Sequence, residues 1–81
     1  MNQNYPTAII TGASKGIGRA LALLLAGHNF QLSLIARNQG ELKDLAAEIT
    51  EIGHRPLYFA GDIADEAFVK LAIEKTAHTF Q

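Results

Sequence analysis

The sequence predicts an α/β fold, a three-layer arrangement of helices around a parallel β-sheet. Three short apolar runs with strand character alternate with three longer segments of helical periodicity. Strict alternation of this kind favours parallel strands joined by right-handed crossovers. A glycine-rich turn lies between the first strand and the first helix, where such folds carry their binding sites.

The first strand is predicted over residues 6–11, an apolar run that Gly12 ends. A continuous apolar run indicates a strand buried on both faces. The first helix is predicted over residues 16–27, with Gly27 in the position of a C-cap. Its apolar positions follow helical spacing: Ile17, Leu21, Leu24 and Leu25.

The second strand and helix are predicted over residues 30–36 and 39–52. The strand alternates at first and then becomes apolar, which is typical of a central strand with helices on both faces. Asn38 and Glu41 have the spacing of a capping box at the start of the helix, and Gly53 ends it.

The third strand is predicted over residues 56–60, with Pro56 at the first position, where a missing N–H is tolerated. Asp65 then caps a third helix. One face of this helix is predicted to carry Phe68, Leu71, Ala72 and Lys75, with Val69 and Ile73 beside it.

These units amount to the N-terminal β-α-β-α-β-α half of a Rossmann fold, with the strands in the spatial order 3-2-1. Strand one, normally central, is then an edge, and an apolar uncovered edge promotes aggregation. We therefore expect residues 1–81 to form a single partial Rossmann domain. It is either a fragment of a longer chain or a protein that completes its sheet with a second copy, as a homo-oligomer.

Composition and charge exclude several classes of protein. The chain is 48% hydrophobic and 19% charged with a net charge of −1, which argues against a nucleic-acid-binding arm. Residues 1–40 carry three bases and no acid, hence +3, whereas residues 41–81 carry four bases and eight acids, hence −4. The positive half suits a small anionic ligand.

Cysteine is absent, which excludes disulfides and thiolate metal sites. The histidines His28, His54 and His78 lack the spacing of metal ligands, so we expect all three at the surface and no metal site. The chain does not open with a signal peptide, and its longest apolar stretch is too short to span a bilayer. We expect a cytoplasmic protein without a membrane partner.

Gly12, Gly16 and Gly18 give the first turn the features of a phosphate-binding loop. Gly12 lets the chain turn, while the other two remove side chains where a pyrophosphate approaches and where the helix packs against the sheet. The N–H groups around residues 16–18, with the helix dipole behind them, would hold the anion. A dinucleotide is the expected ligand; the alternative is a tight turn that only caps the helix.

The glycine spacing of the segment TGASKGIG, residues 11–18, indicates which class of nucleotide-binding loop it resembles. A nucleotide-triphosphate P-loop is excluded, because it needs a glycine where this chain has Ile17. The segment resembles the cofactor motif of the short-chain dehydrogenase/reductase family, and Gly61-Asp62-Ile63 resembles that family's acidic turn after strand three. The resemblance spans the chain and implies an oxidoreductase that transfers hydride between a nicotinamide and an alcohol or carbonyl substrate.

The expected cofactor is NADP(H) in preference to NAD(H). Enzymes that use NAD place an acid near the end of strand two to bind the ribose 2′-hydroxyl. The chain has no acid between Gly12 and Glu41; Arg37 follows the strand, with a fork of donors that matches a 2′-phosphate. Lys15 can approach the same phosphate. Basic residues at both places mark NADP-preferring members of the resembled family, although both cations could instead be solvated surface residues.

Further residues complete the predicted cofactor site. Ser14 would bind the ribose or a phosphate, or else is a simple turn hydroxyl. The resemblance implies that the Asp62 carboxylate accepts from the adenine amino group and that Ile63 supplies a backbone contact, whereas Asp62 by its position alone could be a turn former. Ile17 in the turn and Asn38 beside the second strand are also expected at the cofactor.

The catalytic residues that the resemblance implies are not expected within residues 1–81. The family's catalytic tyrosine has a lysine four residues after it, whereas Tyr5 is followed at that distance by Ile9, and Tyr58 by Asp62. We expect the NADP(H)-binding part of a short-chain oxidoreductase, with activity only in the full-length protein. The alternative, which the short length favours, is a non-catalytic nucleotide-binding or oligomerising module.

Overall fold

The computed structural model describes residues 5–80, which form three strands and three helices in alternation. The elements in chain order are β1 (Thr7–Thr11), α1 (Gly16–Gly27), β2 (Gln31–Ala36), α2 (Gln39–Ile52), β3 (Leu57–Ala60) and α3 (Glu66–Phe80). Helices α1 and α2 have the predicted bounds, and each strand begins one residue later than predicted. The α/β prediction is therefore confirmed.

The strands form one parallel sheet in the order β1-β2-β3. The expected order 3-2-1 names the same neighbours from the opposite edge, with β2 in the middle. Leu34 of β2 pairs with Ile10 on one side and with Tyr58 on the other. Because the strands are parallel and each is followed by a helix, the three turns that leave them lie together at the C-terminal ends of the strands.

Most of the core lies between the sheet and the helices α1 and α2. The side chains that form it are apolar and come from all these elements: Ile10, Ala13, Ala22, Ala26, Leu32, Leu34, Ala36, Leu42, Leu45 and Ile49. Strand β2 is buried along nearly its whole length, as its apolar run predicts. The buried central strand thus packs firmly beneath the turns at the C-terminal ends of the strands.

Strand β1 is less buried than its composition predicts. Ile10 is buried in the core, but Ile9 on the opposite face is 40% exposed. In the described part of the chain, the prediction that β1 is buried on both faces is therefore wrong. Strand β1 is an edge strand, and the face that bears Ile9 is not fully covered.

Helix α2 buries the apolar face that its spacing predicts, whereas α1 and part of α3 bury other positions. In α1 the small residues Ala22 and Ala26 are buried, whereas Leu21 and Leu24 are exposed. Small side chains allow a helix to approach a sheet closely. In α3 the exposed Leu71 likewise lies outside the buried face. Apolar periodicity located α1 and α3, but it did not fully identify the sides of these two helices that pack.

The end of α1 also differs from the prediction. Gly27 is the last residue of the helix and not its cap, and the left-handed residue is Asn29, with a φ of 65°. Asparagine tolerates this region better than most residues. The chain therefore reverses two residues later than a glycine cap implies.

A buried pair of hydroxyl groups joins α3 to β2 on the face away from α1 and α2. Thr76 Oγ1 lies 2.8 Å from Ser33 Oγ and 2.7 Å from the carbonyl oxygen of Ala72. A threonine hydroxyl has one proton. Both contacts are hydrogen bonds at once only when Thr76 donates to Ala72 and Ser33 donates to Thr76.

Ser33→Ala is expected to lower the free energy of unfolding by about 1 kcal/mol, because it removes one buried hydrogen bond. Urea unfolding of this variant, of Thr76→Val and of the double variant completes a thermodynamic cycle. The double variant should lose less than the sum of the single losses, since the two hydroxyls depend on each other. Strictly additive losses would show that the hydroxyls do not interact.

Candidate functional site

A cleft of about 410 Å³ opens at the edge of the sheet where the strands end. This volume lies within the range of small-molecule sites, roughly 300 to 1,000 Å³. Residues from all three turns and from the strand ends form its wall: Thr11, Gly12, Ser14, Lys15, Ile35, Ala36, Arg37, Asn38, Glu41, Gly61 and Ile63. The cleft thus coincides with the turn on which the sequence prediction rests.

Backbone hydrogen bonds tie the turns to the end of β2. The N–H of Ala13 donates to the carbonyl oxygen of Ile35 at 3.3 Å, and the N–H of Gly61 donates to that of Ala36 at 2.9 Å. These bonds fix the turns after β1 and β3 against the central strand. The wall of the cleft is therefore built from anchored backbone.

Each glycine of the first turn has a local structural reason. Gly12 and Gly16 have left-handed φ angles of 62° and 56°, which strain a residue that has a side chain. Gly18 lies so close to the turn that an added Cβ would stand 2.9 Å from the carbonyl carbon of Gly12 and overlap its oxygen. Helix α1 can therefore begin directly against the turn.

The N-terminus of α1 is available to an anion. Its N-cap, Lys15, forms no side-chain capping bond, and the first turn contains no acidic residue. By contrast, Asn38 Oδ1 accepts the N–H of Glu41 at the start of α2, and Asp65 Oδ1 accepts the N–H of Ala67 at the start of α3. Within residues 5–80, α1 thus keeps free N–H groups and the positive end of its dipole at the cleft.

Both cations of the cleft lie beside a carboxylate. Arg37 Nη2 is 3.3 Å from Asp62 Oδ1, and Lys15 Nζ is 3.9 Å from Glu41 Oε2. The side chains of Arg37 and Lys15 are 80% and 79% exposed. Exposed ion pairs contribute only about 0 to 1 kcal/mol, so both cations can exchange these partners for a ligand at little cost.

The carboxylate of Asp62 is held in place by its own turn. The backbone N–H of Ala64 donates to Asp62 Oδ1 at 2.9 Å, and this bond is the main reason that the pKa of Asp62 lies below its ordinary value. Desolvation acts the other way, and Arg37 lowers the pKa by smaller amounts. Asp62 is therefore negatively charged at neutral pH.

Six of the ten predicted cofactor residues line the cleft: Gly12, Ser14, Lys15, Arg37, Asn38 and Ile63. The other four do not. Gly16 and Gly18 shape the backbone of the turn, and Asp62 stands beside the wall against Arg37. Ile17 is 87% exposed at the start of α1 and does not line the cleft. Their roles toward a cofactor stay predictions.

Five wall residues were assigned no individual role by the sequence prediction, although Thr11 and Gly61 lie in the two motifs that it identified: Thr11, Ile35, Ala36, Glu41 and Gly61. All except Glu41 lie at the ends of parallel strands or directly after them, so the general rule for ligand sites in such sheets could have found them. The sequence position of Glu41 predicted only a helix cap and not a place in the wall of a cleft. Its approach to Lys15 depends on how α2 packs beside the first turn.

One histidine differs from the prediction of surface positions. His54 is half-buried, and its ring lies 4.2 Å from that of Tyr5 between centroids. The turn before β3 folds back onto the segment that precedes β1, which accounts for this burial.

In the described part of the chain, no group of three His, Asp or Glu residues could hold a metal ion, and no helix is long and apolar enough to cross a membrane.

Comparisons with known proteins agree with the fold and the motif. The family model for short chain dehydrogenases matches residues 6–81. L-rhamnose 1-dehydrogenase (NAD(P)(+)) of Sphingomonas sp. (strain SKA58) is 36% identical over 75 residues, which cover 91% of this chain and 30% of that protein.

The solved structures of two enzymes contain the same half-fold. The structure of L-sorbose reductase from Gluconobacter frateurii, complexed with NADPH and L-sorbose, matches with a TM-score of 0.87 and 33% identity over 95% of this chain and 30% of that one. An alcohol dehydrogenase from the archaeon Thermococcus sibiricus, complexed with 5-hydroxy-NADP, matches with a TM-score of 0.86 and 35% identity over 94% of this chain and 33% of that one.

The chain thus spans about 30% of the length of the relatives it matches. The resemblance that the segment TGASKGIG indicated is confirmed over nearly the whole chain. The strand order and the cleft at the strand ends are those of a Rossmann half. This chain belongs to the short-chain dehydrogenase/reductase family of oxidoreductases.

Proposed function

We propose that this chain is the NADP(H)-binding part of an oxidoreductase that transfers hydride between the nicotinamide and an alcohol or carbonyl substrate. The observation that carries the proposal is the uncapped N-terminus of α1, which opens on a cleft that also contains Lys15 and Arg37. Helix N-termini of this kind bind phosphate groups. Family membership makes a nicotinamide dinucleotide the ligand to test first.

The residues of the cleft fit such a ligand. The N–H groups at the start of α1 would hold the pyrophosphate, with Gly12 leaving room for its approach. Ser14 would bind a ribose or phosphate oxygen, and Ile63 with Asp62 would contact the adenine. The nicotinamide, when bound, supplies or accepts the hydride, and the protein supplies position and charge.

Preference for NADP(H) rests on the two cations. A charged hydrogen bond to a phosphate contributes on the order of 1.5 to 3 kcal/mol, whereas an exposed ion pair contributes about 1 kcal/mol at most. Arg37 would therefore leave Asp62 for a 2′-phosphate and would gain free energy by doing so. The relative from Sphingomonas carries NAD(P)(+) in its name, so the basis for the preference is this chain's own residues, Lys15 and Arg37.

The enzymatic part of the proposal is tested on the full-length gene product. Purified protein is mixed with NADPH and a panel of ketones, aldehydes and sugars, and consumption of NADPH is followed by its absorbance. We expect turnover with at least one carbonyl class and a Tyr-x-x-x-Lys segment in the sequence after residue 81. A protein that binds NADPH but lacks that segment would support the non-catalytic module instead.

A role in self-association is favoured by the open side of β1. Ile9 of β1 and the residues Leu21 and Leu24 of α1 are exposed among the described residues, and unpaired strand edges readily pair with a second chain. Residues 1–81 expressed alone are expected to form dimers or larger species in light scattering. Leu21→Lys with Leu24→Lys should reduce the measured mass, while Ile73→Lys, exposed on α3, should not. A monomeric unsubstituted chain would contradict this expectation.

A further inference from the structure

We propose that Glu41 sets how strongly the cleft prefers a 2′-phosphate over a 2′-hydroxyl, by competing with the cofactor for Lys15. The inference rests on the proposed binding of NADP(H). It assigns to Glu41 a role in specificity that its position in the first turn of α2 does not require. Four observations carry it: the position of Glu41, its unpaired oxygen, the charges around it and the fixed geometry of Asp62.

Glu41 is held in the wall of the cleft. It lies in the first turn of α2, where its own N–H donates to Asn38 Oδ1 at 2.9 Å. The positive end of the α2 dipole favours a carboxylate there. Its side chain is 38% exposed against 79% for Lys15, so the lysine is the partner that is free to move.

One oxygen of Glu41 lacks a partner. Oε1 is buried and accepts no hydrogen bond from any described residue, while Oε2 lies 3.9 Å from Lys15 Nζ, beyond a normal hydrogen bond. A buried carboxylate oxygen without a donor costs free energy. A small movement of Lys15 would bring Nζ within hydrogen-bond distance of Oε2 of this poorly partnered carboxylate, so Glu41 attracts the lysine in the absence of a stronger anion.

The charges of the cleft make this attraction selective. Lys15 and Arg37 face Glu41 and Asp62, so two positive charges are balanced by two negative ones. A 2′-phosphate adds about two further negative charges at pH 7, whereas a 2′-hydroxyl adds none. Glu41 therefore opposes NADPH by repulsion and by occupying Lys15, and it has no comparable effect on NADH.

Asp62 differs from Glu41 in this respect. Its carboxylate is fixed by the N–H of Ala64 and stands next to Ile63, at the predicted adenine contact. Adenine is common to both cofactors, so a change at Asp62 would alter the binding of both. A change at Asp62 would also release Arg37 toward a 2′-phosphate, so it would mix two effects, whereas removal of the Glu41 charge should change NADPH binding alone.

The test is Glu41→Gln in the full-length protein, with Kd values for NADPH and NADH measured by calorimetry. Glutamine also serves in a capping box, so α2 should stay folded. We expect the Kd for NADPH to fall about fivefold and that for NADH to change less than twofold, as estimated for one unit charge near 4 Å in a solvated site. The gain should shrink in 1 M salt, which screens exposed charges.

Two further variants make the result specific. Glu51→Gln makes the same change near the other end of α2, away from the cleft, and should leave both Kd values as they are. In a Lys15→Gln background, Glu41→Gln should lose most of its effect, because the competition for the lysine is gone. A full effect in that background would overturn the role of Lys15.

The outcomes separate this inference from the proposed function. If the unsubstituted protein does not bind NADPH, the proposed function fails. If it binds NADPH and Glu41→Gln changes neither Kd, changes both equally or weakens NADPH, the proposed function stands and the role of Glu41 is refuted.

Discussion

Arg37→Ala is expected to weaken NADPH binding by about tenfold or more and to leave NADH binding nearly unchanged. The arginine follows β2 directly, lines the cleft and is 80% exposed, with only Asp62 as an ionic partner in the described chain. Its loss removes at least one charged hydrogen bond to the 2′-phosphate, on the order of 1.5 to 3 kcal/mol. Fluorescence titration of both cofactors measures the effect.

Arg55→Ala is the matched control for this substitution. Arg55 is also an exposed arginine, but it lies between α2 and β3 in a separate groove. Its removal changes the net charge equally and should alter neither Kd by more than about twofold, because surface charges far apart are screened. Equal losses for the two variants, or equal weakening of NADPH and NADH by Arg37→Ala, would contradict the assignment of Arg37.

Gly18→Ala is expected to lower the free energy of unfolding by about 1 to 3 kcal/mol, the usual cost of inserting a group into a packed position. The added Cβ would stand 2.9 Å from the carbonyl carbon of Gly12. Gly12 cannot easily retreat, because the N–H of the adjacent Ala13 is bonded to Ile35 of β2. The start of α1 must therefore shift, and NADPH binding should weaken with it. Urea unfolding and cofactor titration report the two effects.

Gly27→Ala provides the control on the same helix. Gly27 is exposed at the last position of α1, and an added Cβ would meet nothing within 4 Å. Alanine should there raise stability by up to about 1 kcal/mol, because it restricts the unfolded chain. Equal destabilisation by both substitutions would mean that the close approach of Gly18 to Gly12 does not matter.

The bounds of the elements were predictable because local signals define them. Asn38 marks the start of α2 with a capping bond that the structure contains, and Gly53 follows its last residue. The signal for the first turn was also local, since Gly12 and Gly16 adopt conformations that few other residues accept. Such features depend on a few neighbouring residues, so the sequence alone reveals them.

Burial and side-chain pairing were not predictable in the same way. Ile9 and Leu21 are as apolar as Ile10, and their exposure depends on which elements lie beside β1 and α1. The approach of Glu41 to Lys15 joins the first turn of α2 to the residue that precedes α1, and the two residues are far apart in the sequence. These properties arise from tertiary packing, for which a single sequence carries no local signal.

The affinities of the unsubstituted protein for NADPH and NADH test the assignment of the cleft most directly. Calorimetric titration at one salt concentration measures both Kd values, and the uncapped start of α1 with Lys15 and Arg37 predicts NADPH binding at least about tenfold tighter. Equal affinities, or tighter binding of NADH, would contradict the assignment of the cleft as an NADP(H) site.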